Sequence, residues 1–262
     1  MSIFSGLSSQ NQFDPDAGAF INVTGIGGIE AQAINNLVNQ LKSAGLWNGM
    51  KAIYPMVGNS ASTCKYNLVN PQDTDAAFRL SFFGTWTFDN NGAKPNGVAG
   101  TYADTFFVPS TGYTTTNGHM SYYSFTNSAA AVMAEMGANG AAAAGECNLA
   151  LRFSDGNQYT FFAAAGGGVT SGATSAGYLI NNRAATTEGW RNGTRVINTG
   201  NGAALTTQKI VLGAQNNNGT IFRNSSRGCA FSSIGTTLPT GGPLNLTNIV
   251  NTFCRTLGRN TF

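Results

Sequence analysis

The chain has 262 residues, of which 42% are hydrophobic and 10% are charged, and its formal net charge is +3. Average soluble domains carry about 25% charged residues, so the polar character here comes from Asn, Thr and Ser beside 34 glycines. The basic residues form no run or stripe and no stretch approaches the ~20 apolar residues of a membrane span, which argues against nucleic-acid binding and against membrane insertion.

Residues 1–57 are predicted to form an arm followed by a docking helix. Residues 1–27 are polar and are expected to be extended, with a turn at Asp14-Pro15-Asp16 and no secretory signal. Apolar side chains then recur at helical spacing on one face of a helix that Gly45 ends, namely Ile29, Ala33, Ile34, Leu37, Val38, Leu41 and Ala44.

Two interpretations of this apolar helix face stay open. In the first, the face binds a partner or a further copy of the chain, and the assembly residues are Ile29, Ile34, Leu37, Val38 and Leu41. In the second, the helix packs against strands of its own chain.

Residues 58–262 are predicted to form a second domain in which the hydrophobic period shortens to two. In "CNLALRFSDGNQYTFF" the turn falls at Asp155-Gly156, and one face of the hairpin is expected to hold Cys147, Leu149, Leu151 and Phe153. "EGWRNGTRV" turns at Asn192-Gly193, because both central positions of a type I′ turn need positive φ. Ten or more such strands with Gly and Asn turns are typical of a β-sandwich.

The pattern at the C-terminal side returns to helical spacing. Pro243 stands near the start and Gly258 near the end of a predicted amphipathic helix whose apolar residues are Leu246, Ile249, Val250, Phe253 and Leu257. This helix is expected to fold onto the sandwich.

The four cysteines, at Cys64, Cys147, Cys229 and Cys254, form no C-x-x-C pair. We interpret them as buried small hydrophobic residues, with a disulfide between two of them left open.

The inventory of catalytic side chains is small. Glycosidases of sandwich folds need paired carboxylates, often as E-x-D-x-x-E, and the four glutamates Glu30, Glu135, Glu146 and Glu188 do not form that pattern, although Glu135 could face a cleft. His119 is the one histidine and is interpreted as structural. We therefore expect a protein that is not an enzyme and that has no cofactor and no metal site, with a calcium site near Asp73, Asp75 and Asp104 as the weighed alternative.

The order of the segments resembles the concanavalin A-like (laminin-G-like) jelly-roll sandwich over about residues 75–257. The segments that carry this resemblance are "NGVAGTYADTFFVPS", "HMSYYSF", "LRFSDGNQYTFF", "GWRNGTRV", "KIVLGAQNNNG" and "GCAFSSIG". The fold implied is a mainly β, concanavalin A-like antiparallel β-sandwich with an N-terminal arm and helix and a short C-terminal helix.

The N-terminal part, with "DAAFRLSF" and "FCRTLGR", is similar to a module that accompanies such sandwiches in bacteriophage structural proteins. This resemblance implies a virion protein assembled in the host cytoplasm, as a head decoration, head fibre or tail-associated component. Its partners would be other virion proteins and further copies of itself, for example in a trimer.

A second functional hypothesis is a lectin-like module that binds host-surface polysaccharide. Low charge with abundant Asn, Thr and aromatic side chains is typical of neutral-sugar recognition. Residues of the second hairpin region that could project onto one sheet face are Trp190, Tyr178, Asn181, Asn182 and Arg183. The alternative for Trp190 is packing across the sandwich, and glycoside hydrolysis is the third hypothesis.

Overall fold

The computed structural model describes residues 13–163, 168–171, 173–200, 202–259 and 262. The described chain forms two β-sheets that pack face to face, with a layer of helices on one of them. The predicted fold class, a mainly β sandwich with N-terminal and C-terminal helices, is confirmed.

Five α-helices lie within the described residues: α1 Pro15–Thr24, α2 Gly28–Ser43, α3 Ala61–Cys64, α4 Pro109–Gly112 and α5 Gly242–Thr256. The predicted helices correspond to α2 and α5 and are confirmed. Three short 3-10 turns also occur, at Trp47–Gly49, Asp75–Ala77 and Ala141–Ala143.

Helix α1 corrects the prediction of extended structure before residue 27. The Asp14 side chain accepts a hydrogen bond from the backbone N–H of Asp16 at 3.0 Å, and Pro15 occupies the first helical turn. This is a helix N-cap rather than an isolated turn. The helix is held in place because Phe20 and Ile21 are buried. Residues 1–12 of the predicted arm lie outside the described residues.

The strands, in chain order, are β1 Met50–Tyr54, β2 Ser81–Phe83, β3 Trp86–Asp89, β4 Gly92–Pro95, β5 Tyr102–Asp104, β6 Gly118–Ser124, β7 Met136–Asn139, β8 Cys147–Ala150, β9 Asn157–Phe161, β10 Gly168–Ser171, β11 Gly177–Arg183, β12 Thr187–Arg191, β13 Thr194–Thr199, β14 Val211–Leu212, β15 Gln215–Asn217, β16 Thr220–Phe222 and β17 Cys229–Gly235. The inner sheet has the order β13-β12-β11-β6-β17-β4-β3, and β1 also pairs with β17. The outer sheet has the order β10-β9-β8-β7-β14-β5-β2, and β15 joins β7 and β16.

The inner sheet is covered on both faces because its strands alternate between two hydrophobic clusters. Tyr122 and Leu179 point to the outer sheet, whereas Tyr123 and Tyr178 point to the helices. Strand β1 belongs to the predicted first domain and pairs with β17 of the predicted second. The inner sheet therefore draws on both parts of the chain.

The apolar face of α2 packs in this chain's own core. The side chains of Ile34, Leu37, Val38 and Leu41 are at most 1% exposed and join the cluster between the helices and the inner sheet. This corrects the assignment of these four residues to assembly and agrees with the second interpretation of the helix. Ile29 differs, since it is 55% exposed.

The predicted hairpin turn and the predicted burial of the cysteines are also confirmed. Asn192 and Gly193 have φ values of 51° and 81°, as the hairpin between β12 and β13 requires. The four cysteines are buried and carry free thiols. Within the described residues, no helix combines the length and apolar character needed to cross a membrane.

Candidate functional site

The outer face of the outer sheet carries a cluster of aromatic side chains. In the β8–β9 ladder Asn148 lies opposite Phe161 and Ala150 lies opposite Tyr159. Paired residues of an antiparallel ladder point to the same side, and successive residues alternate. Leu149 lies in the core between the sheets, so these four residues point away from it.

These side chains line an open cleft of about 220 Å³ on that outer face. The residues that line it are Glu146, Asn148, Ala150, Phe153, Tyr159, Phe161 and Arg223. The prediction that Phe153 shares the inner face with Cys147, Leu149 and Leu151 is wrong. Strand β8 ends at Ala150, so the alternation stops before Phe153.

Three aromatic rings form an angled surface in the cleft. The Tyr159 and Phe161 rings are nearly parallel, with centroids 5.9 Å apart and an interplanar angle of 5°. The Phe153 ring meets Tyr159 edge-on, at 5.7 Å and 80°. Tyr159 and Phe161 are stacked, Phe153 stands edge-on to Tyr159, and the three rings together give the cleft an aromatic surface that we call the platform.

Polar groups converge at one side of the platform. Glu146 is 8% exposed and accepts a hydrogen bond from Gln215 Nε2 at 2.7 Å. Arg223 Nη1 donates to Gln215 Oε1 at 2.9 Å, and its guanidinium lies 5.0 Å from the Phe153 ring centroid. Burial raises the pKa of the Glu146 carboxyl, while Gln215 and Arg223 act in the opposite direction.

Asn148 adds an acceptor that the described part of the chain leaves unused. Its Oδ1 is buried and makes no hydrogen bond within the described residues. A Cβ on the opposite residue, Gly137, would come within 2.6 Å of this oxygen, so the glycine makes room for the amide. An unpaired buried acceptor costs about 1–3 kcal/mol.

The Tyr159 ring is oriented from its hydroxyl end. The hydroxyl donates to Asp155 Oδ2 at 2.5 Å, in the turn that joins β8 to β9. The same hydrogen bond lowers the pKa of Asp155 and raises that of Tyr159. The hairpin turn thus positions one ring of the platform.

The five residues predicted to bind glycan lie elsewhere, and four of them are buried: Tyr178, Asn181, Asn182 and Arg183 are at most 2% exposed. Trp190 is half-buried, packs against the cluster below the helices, and donates from Nε1 to Glu188 Oε2 at 3.0 Å. The helical layer covers the face that holds Tyr178, Asn182 and Trp190, whereas Asn181 and Arg183 lie on the face toward the outer sheet. The structure therefore does not bring these side chains together at an open surface.

The buried polar residues of β11 make structural hydrogen bonds instead. Asn182 Oδ1 accepts from the Leu238 N–H at 2.8 Å, and Arg183 Nε donates to the Thr115 carbonyl at 2.7 Å. Asn181 Nδ2 donates to the Phe161 carbonyl at 2.6 Å. Asn181 therefore supports the cleft strand from the inner sheet.

The other residues weighed from sequence also have structural partners. Glu135 does not face the cleft, because it forms a fully buried ion pair with Arg227 at 2.9 Å. His119 is buried between Thr236 and Ser233, as the structural interpretation predicted. The carboxylates proposed for calcium pair with cations: Asp73 with Lys65, Asp75 with Arg79 and Asp104 with Lys209.

No protein-family model matches the chain, and a search of curated proteins finds no relative. Solved structures do resemble it. A mutant of Trypanosoma rangeli sialidase that displays trans-sialidase activity superposes with a TM-score of 0.50 at 14% identity, over 87% of this chain and 39% of that one. This likeness supports the sandwich fold.

Two further structures score lower. Domain 4 of AbnA, a GH43 extracellular arabinanase from Geobacillus stearothermophilus in complex with arabinotriose, has a TM-score of 0.48 at 11% identity, over 77% of this chain and 98% of that one. Trypanosoma rangeli sialidase in complex with the inhibitor DANA has 0.45 at 16%, over 64% and 28%. The structure that superposes with a TM-score of 0.50 is that of an enzyme, and this contradicts the prediction that the chain is not an enzyme.

Proposed function

We propose that the protein binds a neutral glycan in the cleft on the outer sheet. The observation that carries this proposal is the parallel pair of Tyr159 and Phe161 rings beside buried hydrogen-bonding groups. A sugar ring presents C–H groups on its face and hydroxyls at its rim. Aromatic surface and a few fixed polar groups are the matching chemistry.

The polar side chains are arranged to recognise hydroxyl groups. Glu146 supplies acceptors, and Arg223 supplies donors, at one edge of the platform. Arg223 and Glu146 carry opposite charges, and each is hydrogen-bonded to the Gln215 amide that lies between them. A neutral ligand fits this balance better than a strongly charged one.

The experiment is binding of the purified protein to arabinan, galactan, glucan and mannan, beside the Tyr159→Ala variant. We expect saturable binding to one of these polymers and a loss of about tenfold in affinity in the variant, or about 1.4 kcal/mol. The same samples are assayed for released sugar, because the structural neighbours include glycosidases.

Phe262→Ala is the matched control. Phe262 is 41% exposed and its ring contacts Tyr123, below the helical layer and away from the cleft. This variant should bind like the wild type. Equal affinity of wild type and Tyr159→Ala, or no binding to any polymer of the panel, would contradict the proposal.

The viral setting stays a prediction from the resemblance. If the protein belongs to a bacteriophage particle, the glycan would be a host-surface polysaccharide, and the partners would be virion proteins and further copies of the chain. A protein inventory of purified particles tests that setting independently of the cleft.

A further inference from the structure

A second pair of aromatic rings lies near the opposite edge of the outer sheet, on strands β2 and β5. The Phe83 and Tyr102 rings are stacked, with centroids 4.7 Å apart and an interplanar angle of 12°. Phe83 is 44% exposed, whereas its neighbour Phe82 packs against the core between the sheets. The stacked pair therefore lies outside that core.

The strand register places this pair on the same face as the cleft. In the β2–β5 ladder, Phe83 pairs with Tyr102 and Ser81 pairs with Asp104. From Asp104, a row of directly paired residues crosses the sheet through Val211, Gly137 and Asn148 to Phe161. Positions two residues apart on a strand share a face. Phe83 and Tyr102 thus point to the side on which Phe161 lies.

One short segment connects the two aromatic regions. Arg223 lines the cleft, and the next residue, Asn224, donates from Nδ2 to the Thr101 carbonyl at 2.9 Å, beside Tyr102. The segment is fixed to the sheet because the Arg223 carbonyl accepts from Ala134 and the Ser225 N–H donates to Gly213. A polar surface therefore runs from the cleft to the stacked pair.

We propose that Phe83 and Tyr102 form a second contact for the same glycan, so that the ligand is a chain of several sugar units extended across the outer sheet. This inference rests on the proposed function. Four strand spacings of about 4.8 Å separate β5 from β9, or roughly 19 Å, which is more than one sugar ring can span. Contacts at both ends would favour long chains over short ones.

A glycan suits this surface better than a further copy of the chain. The exposed apolar groups here are Phe83 and Val98, whereas a stable protein interface buries about 800 Å² on each partner. The groups around them are the amides and hydroxyls of Asn224, Asn96 and Thr101. The charged pair beside Tyr102 is Asp104 with Lys209, whose charges balance.

The test measures affinities for the disaccharide and the hexasaccharide of whichever panel polymer binds. Phe83→Ala should lower affinity for the hexasaccharide by about tenfold and leave the disaccharide unchanged. Tyr159→Ala should weaken both. Val98→Ala, which removes a neighbouring side chain that is 60% exposed, is the matched control and should change neither.

The outcomes separate the two proposals. Wild-type affinity of Phe83→Ala for the hexasaccharide overturns the second contact and leaves the cleft standing, provided that Tyr159→Ala still weakens binding. Failure of Tyr159→Ala to weaken either ligand, or no binding by the wild type, overturns both. Self-association in sedimentation that Phe83→Ala abolishes would assign the stacked pair to an interface between copies and would also overturn it.

Discussion

At the scale of single residues, His119 shows how burial determines charge. Its ring Nδ1 lies 2.6 Å from the Thr236 carbonyl, so this nitrogen carries the proton, and Nε2 accepts from the Ser233 hydroxyl at 3.1 Å. Desolvation lowers the pKa of His119 to about 4, from an ordinary value of 6.5. The neutral ring is part of the fold.

This shift predicts a pH dependence of stability. Between pH 6.5 and about 4 the unfolded chain binds a proton at His119 that the folded protein does not. The contribution is therefore fully present above pH 6.5, and roughly 3 kcal/mol is lost as the pH falls to about 4. Urea unfolding at several pH values measures it, and His119→Gln should lose less stability over this range. Parallel pH profiles of wild type and variant would contradict the assignment.

At the scale of elements, the hairpin between β12 and β13 depends on its turn. Gly193 has a φ of 81°, and a Cβ there would lie 3.0 Å from Leu244 Cδ1 of α5. Glycine is therefore required at this position both by the backbone conformation and by the packing against α5.

We expect Gly193→Ala to lower the free energy of unfolding by about 1–2 kcal/mol, because left-handed backbone is unfavourable for alanine. Gly200→Ala is the control, since a Cβ at Gly200 has open space around it. That change should stay within about 0.5 kcal/mol. Denaturant midpoints compare the two, and equal destabilisation would refute the turn argument.

At the scale of the whole molecule, the helical layer is part of the core. Leu37 is 1% exposed and Ile29, on the same helix, is 55% exposed. Leu37→Ala should cost about 2–5 kcal/mol of stability, and Ile29→Ala should cost less than about 0.5 kcal/mol. Chemical denaturation at two protein concentrations is the measurement. A midpoint that rises with concentration would instead show that the helix face is covered by another copy.

The layered fold was largely predictable, because the periods of two and of 3.6 residues are strong along most of the chain. Helix α1 was missed since its first residues read equally well as a turn. The burial of α2 against its own sheet was one of two open interpretations, because an apolar stripe does not identify what covers it.

The cleft could not be found from sequence because β9 buries its polar residues and presents its aromatic residues on the outer face. Gln158 and Thr160 are buried, at 3% and 0% exposure, while the aromatic rings of Tyr159 and Phe161 face outward. Alternation shows that two faces exist, and burial of aromatic residues is the ordinary expectation. In β11, polar side chains were expected at the surface, but Asn181, Asn182 and Arg183 are buried and make hydrogen bonds inside the protein.

Both hydrophobic clusters contain buried free cysteines, so thiol modification can detect the opening of each cluster separately. Cys254 lies in the cluster below the helices, and Cys147 and Cys229 lie between the sheets. Burial raises the pKa of Cys254 to about 11 and that of Cys147 to about 12, so the folded protein holds them as unreactive thiols. Alkylation therefore proceeds only as fast as each layer exposes its cysteine, and the order of modification records the order in which the layers separate.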